Sequence, residues 1–161
     1  MAKRGRGTGT IIFALAFLLL IAYAGIAMEP YFNPAAYVRT DMLKVNDNTI
    51  IIGKGCKAIV ADTTAERADA IRQGQEGVIE FRPSIYDNFA QVLKDYNVTL
   101  EAVLVEKYDG DFYYSDLLFR TQDKVTRVDS KPSDAFALAL RTGAPIYINA
   151  TLFDEIGEKV C

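Results

Sequence analysis

The length of 161 residues suits one domain with an appendage. The chain contains no histidine, which excludes Ser-His-Asp and Cys-His nucleophile systems, H-E-x-x-H zinc sites and a histidine general base. Three of the 18 basic residues and one of the 21 acidic residues precede Tyr31, so the rest carries 15 positive against 20 negative side chains, a net charge of −5. This balance disfavours a broad basic face for binding nucleic-acid phosphates.

The first predicted element is an apolar N-terminal segment. Residues 11–28 form an 18-residue run without a charge, which reaches the threshold for spanning a bilayer. The run is therefore predicted to be a transmembrane anchor. Basic side chains precede it and none follows shortly, which predicts that residues 1–10 lie in the cytoplasm. A linker at 29–36 and a domain at 37–161 would then lie outside the cytoplasm. The alternative is a signal peptide cleaved near Ala22-Tyr23-Ala24, which leaves a secreted domain.

The first half of the domain alternates β-branched runs with turn residues and then shows two helical patterns. Thr63-x-x-Glu66 is a capping box, and the apolar residues after Ser84 recur at helical spacing. The predicted strands are 37–45, 49–52, 57–60 and 78–81, and the predicted helices are 63–74 and 84–96.

The second half is predicted to hold a hairpin around Asp109-Gly110 and a buried helix. Residues 135–140 are apolar on every side, so the helix that starts at the N-cap Ser133 and stops at Gly143 must be buried nearly all round. The predicted strands are 101–107, 112–120, 125–128 and 146–148, with a last helical turn or two at 151–156.

Strands outnumber helices and hairpins dominate, which predicts an α+β fold with a mixed, mostly antiparallel sheet and three to four helices. The two cysteines, Cys56 and Cys161, lack the C-x-x-C spacing that favours a zinc site. Their pairing stays open, because the sequence does not place them within disulfide distance.

The polar residues at the two ends of the buried helix form the first candidate site. Without histidine, hydrolysis must rest on carboxylates, Lys, Arg, Tyr or a metal with oxygen ligands. A phosphate would be bound by Lys131, Ser133 and the helix N-terminus. A divalent metal such as Mg²⁺ or Mn²⁺, or a hydrolytic water, would be held by Asp129 and Asp134. Arg141 lies at the far end of the helix. The alternative is that Ser133 and Asp134 only cap the helix while Lys131 pairs with Asp129.

Two further groups have both a functional and a structural interpretation. Arg82 and Asp87 flank a helix start, where Arg82 would bind a phosphate and Asp87 would join a metal site. In the structural interpretation, Asp87 only complements the helix dipole. Around the hairpin, the carboxylates suit either a cation or ordinary turn chemistry, and the aromatic residues suit either base stacking or sheet packing. These residues are Glu106, Asp109, Asp111 and Asp116, with Tyr108, Phe112, Tyr113 and Tyr114.

The run from Val128 to Ile148, V-D-S-K-P-S-D-A-F-A-L-A-L-R-T-G-A-P-I-Y-I, closely resembles the signature of the bifunctional nuclease domain family. Weaker matches are the helix start at 82–87 and the hairpin at 109–113, and the resemblance extends over roughly 37–157. It implies an α+β domain, often dimeric, that acts on both DNA and RNA. By carry-over, the functional residues it implies are Arg82, Asp87, Asp129, Ser133, Asp134 and Arg141.

The chain departs from the family pattern at Tyr86, where His is common, and at Lys131, where Arg is usual. Tyrosine is a poor base near neutral pH, and Lys lacks Arg's planar two-point contact with phosphate. The leading hypothesis is a membrane-anchored, metal-dependent nuclease that hydrolyses phosphodiesters, with Asp87, Asp129, Ser133 and Asp134 catalytic and Arg82, Lys131 and Arg141 binding phosphate. The alternative is a catalytically silent, membrane-tethered binding or assembly module. Under both hypotheses, a homo-oligomer is a further expectation.

Overall fold

A computed structural model describes residues 32–161, of which Asn33–Cys161 form one compact unit. The predicted transmembrane anchor at 11–28 lies outside the described residues. Within 32–161, none of the helices has the length and apolar character that a membrane span requires.

The described unit contains nine strands and four α-helices, after a single 3-10 turn at Pro34–Ala36. The strands are β1 (Tyr37–Arg39), β2 (Met42–Asn46), β3 (Thr49–Lys54), β4 (Lys57–Asp62), β5 (Thr99–Tyr108), β6 (Tyr113–Arg120), β7 (Val125–Ser130), β8 (Ile146–Asn149) and β9 (Glu158–Lys159). The helices are α1 (Ala65–Glu76), α2 (Ile85–Asp95), α3 (Pro132–Thr142) and α4 (Ala150–Ile156).

The strands form two sheets rather than one. The larger has the order β1-β8-β5-β6-β7, and the smaller has the order β2-β3-β4-β9. All neighbouring strands pair antiparallel except β5 and β8, which run parallel because α3 provides the crossover between β7 and β8. The predicted α+β class, with mixed and mostly antiparallel pairing, is therefore confirmed.

Helix α3 lies at the centre of the fold. The five residues from Ala135 to Ala139 are all buried, and the helix packs against α1, α2, β5 and β6. A side chain on any face of such a helix meets protein, which explains why its sequence has no polar stripe. The prediction of a helix buried nearly all round is confirmed.

One predicted strand is divided in two, and another is absent. The run 37–45 divides into β1 and β2, which belong to different sheets, because the chain leaves the first sheet at Thr40 and Asp41. The segment 78–81 is not a strand: three of its residues, Val78, Ile79 and Phe81, are exposed large apolar side chains in a loop after α1. Apolar content alone does not provide the neighbouring strand that pairing requires.

Two predicted helix ends were also displaced. Ser133 is not the N-cap of α3: the helix starts at Pro132, whose restricted φ suits the first helical position, and Lys131 is the N-cap. Helix α1 has Thr64 as its N-cap instead of Thr63, and it continues through Gly74 to end at the left-handed Gly77, with φ of 66°.

The Cys56 and Cys161 side chains form a disulfide across 105 residues of sequence. The adjacent strand β9 pairs with β4, with Lys57 opposite Lys159. The bridge therefore ties the last described residues to the smaller sheet, and closing so long a loop stabilises the fold by restricting the unfolded chain.

Candidate functional site

A cavity of about 620 Å³ lies between the two sheets at the start of α3. Its apolar lining includes Ile50, Ile52, Ile59, Val105, Phe112 and Phe136. Its charged and hydroxyl-bearing lining includes Asp62, Arg67, Asp111, Asp129, Lys131 and Ser133. Three of the residues predicted from the sequence, Asp129, Lys131 and Ser133, thus meet at this cavity.

The start of α3 differs from the starts of the other three described helices. Thr64, Ser84 and Asn149 each accept a hydrogen bond from the first turn of α1, α2 and α4, respectively. No side chain of the described residues caps α3 in this way. Its first-turn N–H groups are therefore left for water or a ligand, and they carry the positive end of the helix dipole.

Asp134, in the first turn of α3, connects α1 and α2 to the start of α3. Its Oδ1 accepts hydrogen bonds from the Tyr86 hydroxyl, 2.7 Å away, and from Arg67 Nε, 3.3 Å away. The side chains of Asp134 and Arg67 are each 32% exposed, so this ion pair is half-buried. Asp134 therefore holds Arg67, which lines the cavity, beside the start of α3.

The Tyr86 hydroxyl is a donor to Asp134 and stays protonated. Burial, followed by the hydrogen bond to the Asp134 carboxylate, raises the pKa of Tyr86 to about 12 from its ordinary value of 10.0. A phenol with that pKa does not act as a base near neutral pH. Tyr86 thus orients Asp134 instead of accepting protons.

At the other end of α3, Arg141 and Asp87 form a buried ion pair. Their side chains are 7% and 9% exposed, and Arg141 Nε donates to Asp87 Oδ1. The second oxygen, Asp87 Oδ2, accepts from the Ser84 backbone N–H at 2.8 Å and from its hydroxyl at 2.6 Å. Burial alone raises the pKa of Asp87, but the hydrogen bonds from Ser84 and Arg141 outweigh it and hold the pKa below its ordinary value.

Arg141 is also bound to the backbone of two helices. Its Nη1 donates to the carbonyls of Ala70 and Ala137, each at 2.9 Å, while its Nη2 is buried without a partner among the described residues. A Cβ added at Gly74 of α1 would lie 2.8 Å from Arg141 Nη1. Arg141 therefore joins α1, α2 and α3, and Gly74 is required for the close approach.

The structure thus divides the predicted site residues into two groups. Asp129, Lys131 and Ser133 line the cavity, with Asp134 attached to it through Arg67. Asp87 and Arg141 are paired with each other at the opposite end of α3, and Arg82 is exposed two residues before the N-cap Ser84.

Three of the four carboxylates around the hairpin have structural partners. Asp109 accepts from the N–H groups of Asp111 and Phe112, and Glu106 and Asp116 both pair with Arg127. Asp111 alone among these four lines the cavity.

The sequence reasoning missed Arg67. It occupies the third position of α1, where the helix dipole disfavours a positive charge. That mismatch was a usable signal, because a cation at such a position needs a nearby anion. Asp134 supplies it from 67 residues further along the chain.

A divalent cation such as Mg²⁺ needs oxygen ligands. Among residues 32–161, no group of three or more Asp, Glu or Cys side chains is arranged to hold a metal ion. Asp134 already faces a hydroxyl and a guanidinium, whereas Asp129 is exposed and lines the cavity. Mg²⁺ is often held by one or two carboxylates together with substrate phosphates, and Asp129 fits that arrangement.

Comparison with known proteins gives a family and two relatives. The sequence profile described as the bifunctional nuclease domain matches residues 58–160. Two uncharacterized proteins of Mycobacterium tuberculosis, from strains CDC 1551 / Oshkosh and ATCC 25618 / H37Rv, are each 32% identical to the chain over 90 residues. That alignment covers 56% of this chain and 53% of each relative, so the chain spans about half the length of the curated relatives it matches.

Proposed function

This chain belongs to the bifunctional nuclease domain family, and on that premise we propose that it is a nuclease that hydrolyses phosphodiester bonds of DNA, RNA or both. One observation carries this proposal. The uncapped start of α3 lies at a cavity whose lining includes a lysine, a serine, an arginine and an exposed aspartate. Those groups are the ones that phosphate binding and water activation need.

The phosphate binds at the start of α3 in this proposal. The N–H groups of Ser133 and Asp134, the Ser133 hydroxyl and the Lys131 ammonium supply donors, and Arg67 supplies a second positive charge. Such donors stabilise the charge that develops on the phosphate oxygens during displacement. Asp134 acts as a positioning residue, because its carboxylate holds Arg67 at 3.3 Å.

Asp129 is the general base. Its carboxylate lines the cavity and takes a proton from the attacking water as the new phosphorus–oxygen bond forms and the ester bond breaks. The leaving oxygen takes a proton from solvent. Asp87 and Arg141 have a structural role, since each is more than nine-tenths buried and bound to the other.

Metal dependence belongs to the proposal as well. Asp129 would hold a divalent cation, Mg²⁺ or Mn²⁺, together with the substrate phosphate. When bound, such a cation neutralises phosphate charge and lowers the pKa of a coordinated water.

We also propose that the domain is extracytoplasmic, held by the anchor at 11–28. The Cys56–Cys161 disulfide supports this location, because disulfides persist in oxidising compartments and are rare in the cytosol. A membrane-impermeant protease applied to intact cells should digest the domain. A domain protected until the cells are lysed would contradict the location.

The nuclease proposal is tested with the full chain purified in a mild detergent. Labelled DNA and RNA, each single-stranded and duplex, should be cleaved in Mg²⁺ or Mn²⁺, and EDTA should stop the reaction. Lys131→Met should lower kcat/KM about 10- to 100-fold through loss of a charged phosphate contact. Lys124→Met, an exposed lysine outside the cavity lining, is the matched control and should match the wild type. Absence of cleavage with both metals and all substrates would overturn the proposal.

A second candidate function is a silent, membrane-tethered assembly module. It is favoured by one observation, an exposed apolar face on α2 with residues at helical spacing. The face consists of Ile85 (72% exposed), Phe89 (41%) and Val92 (49%), and it continues to Tyr96 (77%), the C-cap of α2. Continuous exposed apolar surfaces of this kind often mark protein contacts. Loss of self-association or partner binding in Ile85→Asp, with no cleavage by the wild type, would favour the module over the nuclease.

A further inference from the structure

The cavity has two chemically different parts. Its inner wall is formed by apolar side chains of both sheets and α3, including Ile50, Ile52 and Phe136, which are 5%, 5% and 3% exposed. Its rim holds the start of α3 with Lys131 and Arg67. A volume of about 620 Å³ lies within the range of about 300–1,000 Å³ that is usual for small-molecule sites. It therefore suits one nucleotide-sized group with an apolar end and an anionic end.

Phe112 provides an available aromatic face at this cavity. It lines the cavity while 68% exposed, and Asp109 fixes its backbone by accepting from its N–H at 2.8 Å. The neighbouring rings of Tyr108 and Tyr113 already stack on each other, with centroids 4.4 Å apart. Within residues 32–161, no other ring stacks on Phe112. An exposed aromatic ring held by a hydrogen-bonded turn is suited to stacking on a base.

The charges at the cavity oppose a duplex. Among the described residues, two cations, Arg67 and Lys131, belong to its lining, and Arg67 is already paired with Asp134. Three carboxylates, those of Asp62, Asp111 and Asp129, line the same cavity. A duplex presents closely spaced phosphates on two strands and needs many cations to neutralise them. A single strand needs one or two phosphates held at the rim.

From these observations we propose that the cavity takes one unpaired nucleotide, with its phosphate at the start of α3 and its base against Phe112 and the isoleucine wall. The substrate class is therefore single-stranded nucleic acid, because a paired base reaches such a pocket only after it leaves the stack. Phe112 is the residue that selects for the unpaired base. This inference rests on the proposed function for its catalytic meaning, and its binding part is measured separately.

The test measures binding of the full chain, in mild detergent with EDTA, to a labelled oligonucleotide. The same sequence is supplied single-stranded, as a duplex, and as an abasic strand that has the backbone without bases. Single-stranded binding should be at least about 10-fold tighter than binding to the other two. Phe112→Ala should weaken it about 5- to 150-fold, the range of one lost base–aromatic stack, and Phe112→Trp should retain it. The salt dependence should correspond to one or two phosphates, a slope of roughly −0.7 to −1.4.

Phe81→Ala is the matched control, because Phe81 is 99% exposed and does not line the cavity. It should bind like the wild type, and both alanine variants should keep the wild-type melting temperature. Equal binding of duplex and single strand, or a Phe112→Ala variant that binds like the wild type, overturns the inference whether or not the chain cleaves nucleic acid. Phe112-dependent single-strand binding without cleavage of any substrate retains the inference and removes the nuclease proposal.

Discussion

At the N-terminal end of α3, which begins at Pro132, no side chain caps the backbone, and Lys131 and Ser133 line an open cavity. At the opposite end, Arg141 is 7% exposed and bound to Asp87 and to two backbone carbonyls. Both ends belong to one sequence motif, and both combine a cation with a carboxylate. They differ in exposure, because Arg141 and Asp87 are buried while Lys131 is exposed at the cavity. We call the Arg141 end the closed end of α3 and the Lys131 end its open end.

This difference separates stability from binding within a single helix. At the closed end, the pairing is made between protein groups that are removed from water, so losing one partner leaves a buried charge unpaired. At the open end, the same residue types remain accessible, and an exposed lysine adds little to stability. Substitutions at the two ends should therefore change different measured quantities.

The largest effect is expected at the closed end. Arg141→Met leaves the Asp87 carboxylate buried without its counter-ion, and it should reduce the free energy of unfolding by about 3–5 kcal/mol. Denaturant titration followed by circular dichroism measures this loss. Lys131→Met at the open end is the matched comparison and should change stability by less than about 1 kcal/mol. Equal losses at both ends would remove the distinction.

The next effect is on activity. Asp134→Asn keeps an oxygen that accepts from Tyr86 but loses the charge that holds Arg67. It should cost about 1 kcal/mol of stability or less, while kcat/KM falls about 10- to 100-fold, as is usual for a lost supporting contact. Because Arg67 stabilises the charge that develops on the phosphate in this scheme, part of the change should appear in kcat. A folded variant with wild-type kinetics would restrict Asp134 to a structural role.

Acid should weaken the closed end selectively. Asp87 has a folded-state pKa below its ordinary value of 3.8, so its contribution to stability is present above pH 3.8 and is lost as the pH falls through the folded-state value. Melting temperatures measured from pH 6 downward should fall less steeply below about pH 4 in Asp87→Asn than in the wild type. Parallel curves for the two proteins would contradict this assignment.

The smallest effect is expected from Tyr86, whose hydroxyl donates to Asp134 and whose ring lies 5.5 Å from the Arg141 guanidinium. Its pKa is raised to about 12, so the stability from its hydrogen bond is present below pH 10 and is lost as the pH rises through about 12. Tyr86→Phe should cost about 0.5–1.5 kcal/mol at neutral pH. It should also remove one late-ionising phenol from an ultraviolet titration of the folded chain. Loss of an early-ionising phenol instead would show that Tyr86 is not held by Asp134.

Several features followed from local sequence. The all-apolar run 135–140 predicted a buried helix, the Asp109-Gly110 pair predicted the hairpin between β5 and β6, and Ser84 with Asp87 marked the start of α2. The motif at 128–148 identified the family. These signals depend on residues within a few positions of one another, where propensity, periodicity and capping act.

The division of the site into an open and a closed end was decided by the tertiary structure. Arg67 and Asp134 are 67 residues apart, Tyr86 and Asp134 are 48 apart, and Asp87 and Arg141 are 54 apart. The sequence placed charged groups at both ends of α3. It did not reveal that Asp87 of α2 pairs with the buried Arg141 at one end, or that the other end borders the cavity between the two sheets. Local sequence determines which segments become helices and strands, whereas packing between distant segments determines which polar groups lose water and which remain accessible to a substrate.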